Sequence, residues 1–305
     1  MRLNGIIVPI VTPFKTDYSL DLRRFASLID DLIKKGVNGI FPLGTNGEFA
    51  LLNEEEKESL IREAVSASAG KVPVLAGVSD PGTRNAVANA KLAEKLGADF
   101  VVATPPYYYK VSDEGILSHF RALCSSVSIP VLMYHIPSNT GNDVSVKYLK
   151  RISNLDNMAG IKYTTRDFPA YLEVLHATQS SSFSVFMGTD MLIYSALVAG
   201  SDGVVTGLAN VAPDECVRIH ERIKAGDLAS AWKIQESVFP VAQAMFVGDF
   251  PAAVKGMMAV RGNPSGPVRP PLARLTASQE NTLRKAVSDS GLLPKRHARG
   301  FNRPG

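Results

Sequence analysis

Met158-Ala159-Gly160-Ile161-Lys162-Tyr163-Thr164-Thr165 is the stretch on which the fold turns. The apolar run from Met158 to Ile161 reads as a buried parallel strand, and the polar residues after it as the loop it enters. Lys162 then stands at the strand's C-terminal end. In an alternating βα chain, that end is where a barrel gathers its active residues. An amine withdrawn from water has its ammonium form disfavoured. A neutral amine can attack a ketone and form a Schiff base. A lysine taken alone is far more often a solvated loop residue, so the weight falls on the rest of the chain.

Outward from this strand the same unit repeats. Toward the N-terminus lie Pro130-Val131-Leu132-Met133-Tyr134, Phe100-Val101-Val102-Ala103, a third run over 72–76, Gly39-Ile40-Phe41-Pro42-Leu43 and Gly5-Ile6-Ile7-Val8-Pro9-Ile10-Val11. Toward the C-terminus lie Phe183-Ser184-Val185-Phe186-Met187 and Asp202-Gly203-Val204-Val205-Thr206. Helical patterns fill the gaps. One is expected over about 20–35, with Leu22, Phe25, Leu28, Ile29 and Leu32 on one face and Gly36 as its cap. Another opens at Asn53, with Glu54, Glu55 and Glu56 where acids suit the helix dipole. Eight strands alternating with helices predict an α/β chain of the (β/α)8 TIM-barrel class. A doubly wound open sheet is the alternative, but no glycine-rich dinucleotide fingerprint follows the first strand. The expected organisation is a barrel over 1–225, a C-terminal helical extension over 226–294 and a disordered tail over 295–305.

Composition narrows the function classes. Of 305 residues, 45% are apolar and 20% charged, as in a soluble protein with a sizeable core. The net charge is only +4, part of it in the tail Lys295-Arg296-His297-Ala298-Arg299, and no basic stripe interleaves with aromatics. Nucleic acid is therefore not an expected partner. Cys124 and Cys216 are the only cysteines, too few for a disulfide framework or a zinc site. His119, His176 and His220 fall in helical stretches, His135 beside Tyr134 and His297 in the tail, so no metal-ligand pair is apparent. No metal and no organic cofactor are expected. With no signal peptide and no apolar run of membrane length, the expected compartment is the cytoplasm.

The residues that end the strands form a constellation. Strand two delivers Gly44-Thr45-Asn46-Gly47-Glu48, strand four Tyr107-Tyr108-Tyr109, strand five Tyr134, strand six Lys162, and strand seven Gly188 and Asp190. With Tyr134-His135-Ile136-Pro137-Ser138-Asn139-Thr140-Gly141 and Gly160-Ile161-Lys162 plus Asp167, the chain resembles the pyruvate-dependent class I aldolase family that includes dihydrodipicolinate synthase and N-acetylneuraminate lyase. The resemblance runs from Gly5 to about Ser290. It implies that Lys162 forms a Schiff base with the 2-oxo carbon of pyruvate. Tyr134 is then the general acid and base. Thr45 and Asn46 offer backbone N–H groups to the substrate carboxylate, and Thr45 also relays protons to Tyr134. It implies that Gly188 and Val205 turn their backbones to the substrate. Tyr108 resembles the tyrosine that enters a neighbouring subunit's site, which implies a homotetramer built as a dimer of dimers.

Four positions depart from the family pattern, the first being Asn46, where dihydrodipicolinate synthase has a second threonine. Asn139 stands where dihydrodipicolinate synthase carries the arginine that grips aspartate semialdehyde, and an amide supplies no charged fork. Met191 stands where sialic acid lyases carry an acid, and Gly207 where they carry a serine. The expected activity is therefore reversible cleavage of a 4-hydroxy-2-oxo acid, hydroxyoxoglutarate or a keto-deoxy sugar acid, to pyruvate and an aldehyde. Asn139, Ser138 and Thr165 are the expected acceptor pocket. Dihydrodipicolinate synthesis and dehydration of a keto-deoxy acid are the enzymatic alternatives. A keto-acid sensor without turnover is the non-enzymatic one, against which the pairing of Lys162 with Tyr134 weighs.

Overall fold

The structure, a computed structural model, describes residues 3–178, 180 and 182–293. Its strands are β1 (Gly5–Pro9), β2 (Gly39–Phe41), β3 (Leu75–Gly77), β4 (Phe100–Ala103), β5 (Val131–His135), β6 (Met158–Tyr163), β7 (Ser184–Met187) and β8 (Gly203–Val205). Between them run α1 (Leu22–Lys34), α2 (Glu54–Ser68), α3 (Thr83–Lys95), α4 (Asp113–Cys124), the single turn α5 (Pro137–Thr140), α6 (Val146–Ser153), α7 (Phe168–Thr178) and α8 (Ile193–Val198). After β8 come α9 (Pro213–Lys224), α10 (Leu228–Ala244), α11 (Ala252–Val260) and α12 (Ala277–Asp289).

Every strand pair is parallel, in the order β2-β1-β8-β7-β6-β5-β4-β3. Pairing of β1 with β8 and a parallel bridge between Ile40 and Val74 join the ends of the sheet, which makes a (β/α)8 barrel and not an open doubly wound sheet. Successive strand residues point to opposite faces. Ile7, Phe41, Leu75, Val102, Leu132, Tyr134, Phe186 and Val205 fill the barrel interior. Their neighbours Val8, Ile40, Ala76, Val101, Met133, Ile161, Tyr163, Val185 and Val204 pack under the helices. This alternation sends Lys162 inward. Ile161 and Tyr163 belong to the outer layer, and Lys162 is in register with Tyr134 on β5 and Phe186 on β7.

Local chemistry sets the helix starts. Asn53 Oδ1 accepts from Glu56 N and Glu56 Oε2 from Asn53 N, a reciprocal cap that opens α2. Thr276 and Gln279 do the same for α12. Strand limits differ from expectation by one to three residues. The second strand stops at Phe41 because Pro42 has no amide to donate and Leu43 takes a left-handed conformation (φ 61°). The third begins at Leu75, and Pro73 contributes only its carbonyl, to Ile40 N. The long C-terminal helical stretch divides into α9, α10 and α11, with α10 against α8, α9 and α12, and α12 also against α11. Among the described residues no helix is long and apolar enough to cross a membrane. The tail 295–305 lies outside the described residues.

Candidate active site

Lys162 is withdrawn from water by its inward position on β6 and is 4% exposed. Its Nζ lies 3.8 Å from the centroid of the Tyr134 ring and 5.9 Å from that of Phe41. A ring face attracts a cation at this range. Phe41 meets Tyr134 edge-on at 6.2 Å. The Tyr134 hydroxyl is 3.3 Å from Thr45 Oγ1, within hydrogen-bond reach across to the β2 loop.

That loop is a tight turn. Gly47 N donates to the Gly44 carbonyl (3.0 Å) and Glu48 N to that of Thr45 (3.1 Å). Thr12 Oγ1 donates to the Gly47 carbonyl at 2.7 Å. The amides of Thr45 and Asn46 donate to no described residue, which leaves two adjacent N–H groups for an anion. The turn is anchored from below by Glu48, a left-handed residue (φ 56°) whose side chain is fully buried. Its carboxylate contacts Lys255 Nζ at 2.6 Å and accepts from Arg269 N at 2.8 Å. Arg269 in turn holds Glu56 through two hydrogen bonds of 2.7 Å. Glu48, Lys255 and Arg269 carry no local signal of this role, because their partners lie more than 200 residues away in the chain.

Gly188 follows β7, its amide donating to the Tyr163 carbonyl at 2.9 Å. Here the chain passes so close that a Cβ would sit 2.0 Å from Thr164 Oγ1 and 2.9 Å from Lys162 Cε. Beyond it, Asp190 is buried. Its carboxylate accepts from Thr206 Oγ1 and from Leu208 N (2.9 Å). Burial pushes the Asp190 pKa up, while these hydrogen bonds and the charge of Lys162 act against the rise.

These groups line one cavity of about 560 Å3. Thr45, Asn46, Tyr134, Asn139, Lys162, Thr165 and Gly188 all border it, as does Ser138. Two expected residues do not. Val205 is buried among the side chains of the barrel interior, 2% exposed. Tyr108 projects from the protein, 86% exposed on a left-handed backbone (φ 78°), edge-on to Tyr109 at 5.0 Å. His135, one residue from Tyr134, faces the other way and stacks on Tyr163 at 4.5 Å. Burial pushes its pKa down to about 4.

The cavity also holds residues without a local sequence signal. Asn46 and Thr164 border it, and their Oδ1 and Oγ1 atoms are buried with no hydrogen-bond partner among the described residues. Arg166, from the loop between β6 and α7, borders the cavity with its guanidinium over the Phe246 ring. Phe246 and Phe250 form a wall supplied by the segment after α10. Asp167, a carrier of the family resemblance, caps α7 by accepting from Ala170 N at 3.0 Å. Chemically, the site brings a buried amine, a phenol beside a hydroxyl and a turn with two free amides to one cavity.

The model of the dihydrodipicolinate synthetase family matches residues 2–290. An uncharacterized DapA-like lyase from Halobacterium salinarum is 38% identical over 293 residues, 96% of each chain. The 4-hydroxy-tetrahydrodipicolinate synthase of Methanoculleus marisnigri is 36% identical over 289 residues, 94% of this chain and 99% of that one. Among solved structures, the chloride-inhibited dihydrodipicolinate synthase from Acinetobacter baumannii complexed with pyruvate matches with a TM-score of 0.92 at 30% identity, covering 95% of this chain and 100% of that one.

Proposed function

The chain belongs to the dihydrodipicolinate synthetase family of lyases and synthases, and from that premise we propose that it makes and breaks a carbon–carbon bond between pyruvate and an aldehyde at Lys162. Once the ammonium has given up a proton, the amine adds to C2 of pyruvate, and loss of water leaves an imine. The protonated imine draws electrons from C3, which gives up a proton and becomes an enamine. The enamine carbon bonds to the aldehyde carbon while the aldehyde oxygen takes a proton. Water then releases the product and restores the amine. Tyr134, with Thr45 behind it, is the group placed to carry these protons. The Thr45 and Asn46 amides receive the pyruvate carboxylate. The observation that carries the proposal is the buried Lys162 Nζ at 3.8 Å from the Tyr134 ring centroid.

For the aldehyde, the names of the relatives favour the synthase over the hydroxyoxo-acid aldolase expected from Asn139. Condensation of pyruvate with aspartate semialdehyde therefore stands first. Cleavage of a 4-hydroxy-2-oxo acid stands second and rests on the missing arginine at Asn139. Borohydride reduction with pyruvate, read by intact mass, tests the shared chemistry: a single adduct is expected, lost in Lys162→Ala. An adduct that persists in that variant refutes the assignment. Comparing kcat/KM for pyruvate plus aspartate semialdehyde with that for hydroxyoxoglutarate and keto-deoxygluconate decides between the two.

The same proposal includes a homotetramer, built as a dimer of dimers with the exposed Tyr108 at the tighter interface. Sedimentation of a stable monomer at micromolar concentration refutes it. A cytoplasmic location fits two buried thiols, of which Cys124 is pushed up to about 12 by burial. The region 226–294 is taken as an accessory layer whose Phe246 and Phe250 complete the cavity wall.

A further inference from the structure

We propose that Arg166 receives a carboxylate on the acceptor, so that the aldehydes this site takes are those carrying a second acid group. The assignment builds on the Schiff base at Lys162, which fixes the end of the cavity that pyruvate occupies.

Among the described residues, only two cations border the cavity, Lys162 and Arg166. Lys162 is committed to the carbonyl of pyruvate. The one carboxylate that the described residues place at the cavity, Asp190, is buried and already accepts from Thr206 and Leu208. Arg166 is exposed, and among the described residues it has neither an ion pair nor a hydrogen bond. Its guanidinium carbon lies 5.5 Å from the centroid of the Phe246 ring, itself stacked with Phe250 at 6.0 Å. An arginine resting on an aromatic face is oriented while its fork of N–H donors stays free, and that fork matches a carboxylate.

The backbone under Arg166 is held on both sides. The Thr165 carbonyl accepts from Thr189 Oγ1 at 2.6 Å, and Asp167 N donates to Thr165 Oγ1 at 3.0 Å. The family's arginine belongs to the loop after β5, where Asn139 stands here. Because β5 pairs with β6, the loop that carries Arg166 is its direct neighbour at the barrel mouth. A cation on either loop therefore opens onto the same cavity. Asn139 contributes an uncharged donor beside it, its Oδ1 already accepting from Ser138 Oγ at 2.9 Å. A neutral sugar aldehyde leaves Arg166 without a partner, whereas aspartate semialdehyde and glyoxylate both supply one.

The test is binding of paired 2-oxo acids, measured by calorimetry at low salt. 2-Oxoglutarate and 2-oxopimelate carry a distal carboxylate at the chain lengths that the aldolase and the synthase require. Their counterparts carry an isopropyl group in place of that carboxylate. The wild type is expected to bind at least one diacid about 10- to 100-fold tighter than its counterpart, the range of a hydrogen bond to a charged group. Arg166→Gln should bring that ratio close to one, and Arg166→Lys should leave it between the two, a point charge replacing a fork. A wild type without preference, or a preference that survives Arg166→Gln, overturns the proposal. Failure of wild-type Lys162 to trap pyruvate defeats the Schiff-base assignment instead, and the diacid ratio is still read without turnover.

Discussion

Gly188→Ala is the sharpest perturbation the site offers, because the glycine is required for space. Its φ is not left-handed, so the backbone itself tolerates alanine. The added Cβ falls 2.0 Å from Thr164 Oγ1, 3.1 Å from Thr164 Cβ and 2.9 Å from Lys162 Cε, where ordinary contact begins at 3.4 Å. Rotating Thr164 relieves only its oxygen. Its Cβ is tied to a backbone whose amide donates to the His135 carbonyl at 3.0 Å. The overlaps that remain are with Thr164 Cβ and with Lys162, whose methylene must shift by about half an ångström. Overpacking of this kind costs about 1–3 kcal/mol. A misplacement of about 1 Å in a reacting group costs about 10²-fold in rate, so a loss of about 10- to 100-fold in imine formation is expected. Borohydride trapping with pyruvate, sampled over time, reads that rate, and urea unfolding reads the stability. Thr164→Ala in the Gly188→Ala background should restore part of the rate by removing the nearest atom. Trapping at the wild-type rate with an unchanged unfolding midpoint would refute the reasoning.

Tyr134→Phe keeps the ring over Lys162 and removes the hydroxyl, so turnover should fall by about 10²–10⁴-fold while the fold survives; wild-type turnover would send the proton elsewhere. Lys255→Met leaves the Glu48 carboxylate buried with Arg269 N as its remaining donor, and urea unfolding should show a loss of about 3–5 kcal/mol. A loss below about 1 kcal/mol would place that pair among weak surface bridges. Burial pushes His119 from 6.5 down to about 4. Below pH 6.5 the unfolded chain takes up a proton there that the folded chain refuses, so stability falls between pH 6.5 and 4 and is flat above. The contribution reaches about 3 kcal/mol, and His135 acts in the same direction. His119→Gln should flatten the fall between pH 7 and pH 5 in urea unfolding; equal slopes in the two proteins would refute it.

The barrel was legible in the chain because each of its parts is local. An apolar run such as Phe100–Ala103 reads as a buried strand wherever it pairs, and Asn53 with Glu56 caps a helix from three residues away. Strand limits slipped where a proline intervened, at Pro42 and Pro73, since a missing amide matters only once the partner strand is known. The inward position of Lys162 was also implicit, because alternation along β6 places it opposite Ile161 and Tyr163.

Local sequence was enough for the alternation of βα units, for the amine and phenol that face each other from β6 and β5, and for the turn that follows β2. What surrounds them depended on the closed barrel. Glu48 finds Lys255 and Arg269 across more than 200 residues, and Gly188 proves to be the space that Lys162 and Thr164 need. Arg166 was unremarked in the sequence, because a charged residue in a βα loop reads as solvated. Closure of the sheet brings that loop beside the one carrying Asn139, with Phe246 of the C-terminal region beneath its guanidinium. The physical reason is one of range: propensity, periodicity and capping act over a few residues, whereas charge complementarity and steric fit depend on distances that only the closed barrel sets.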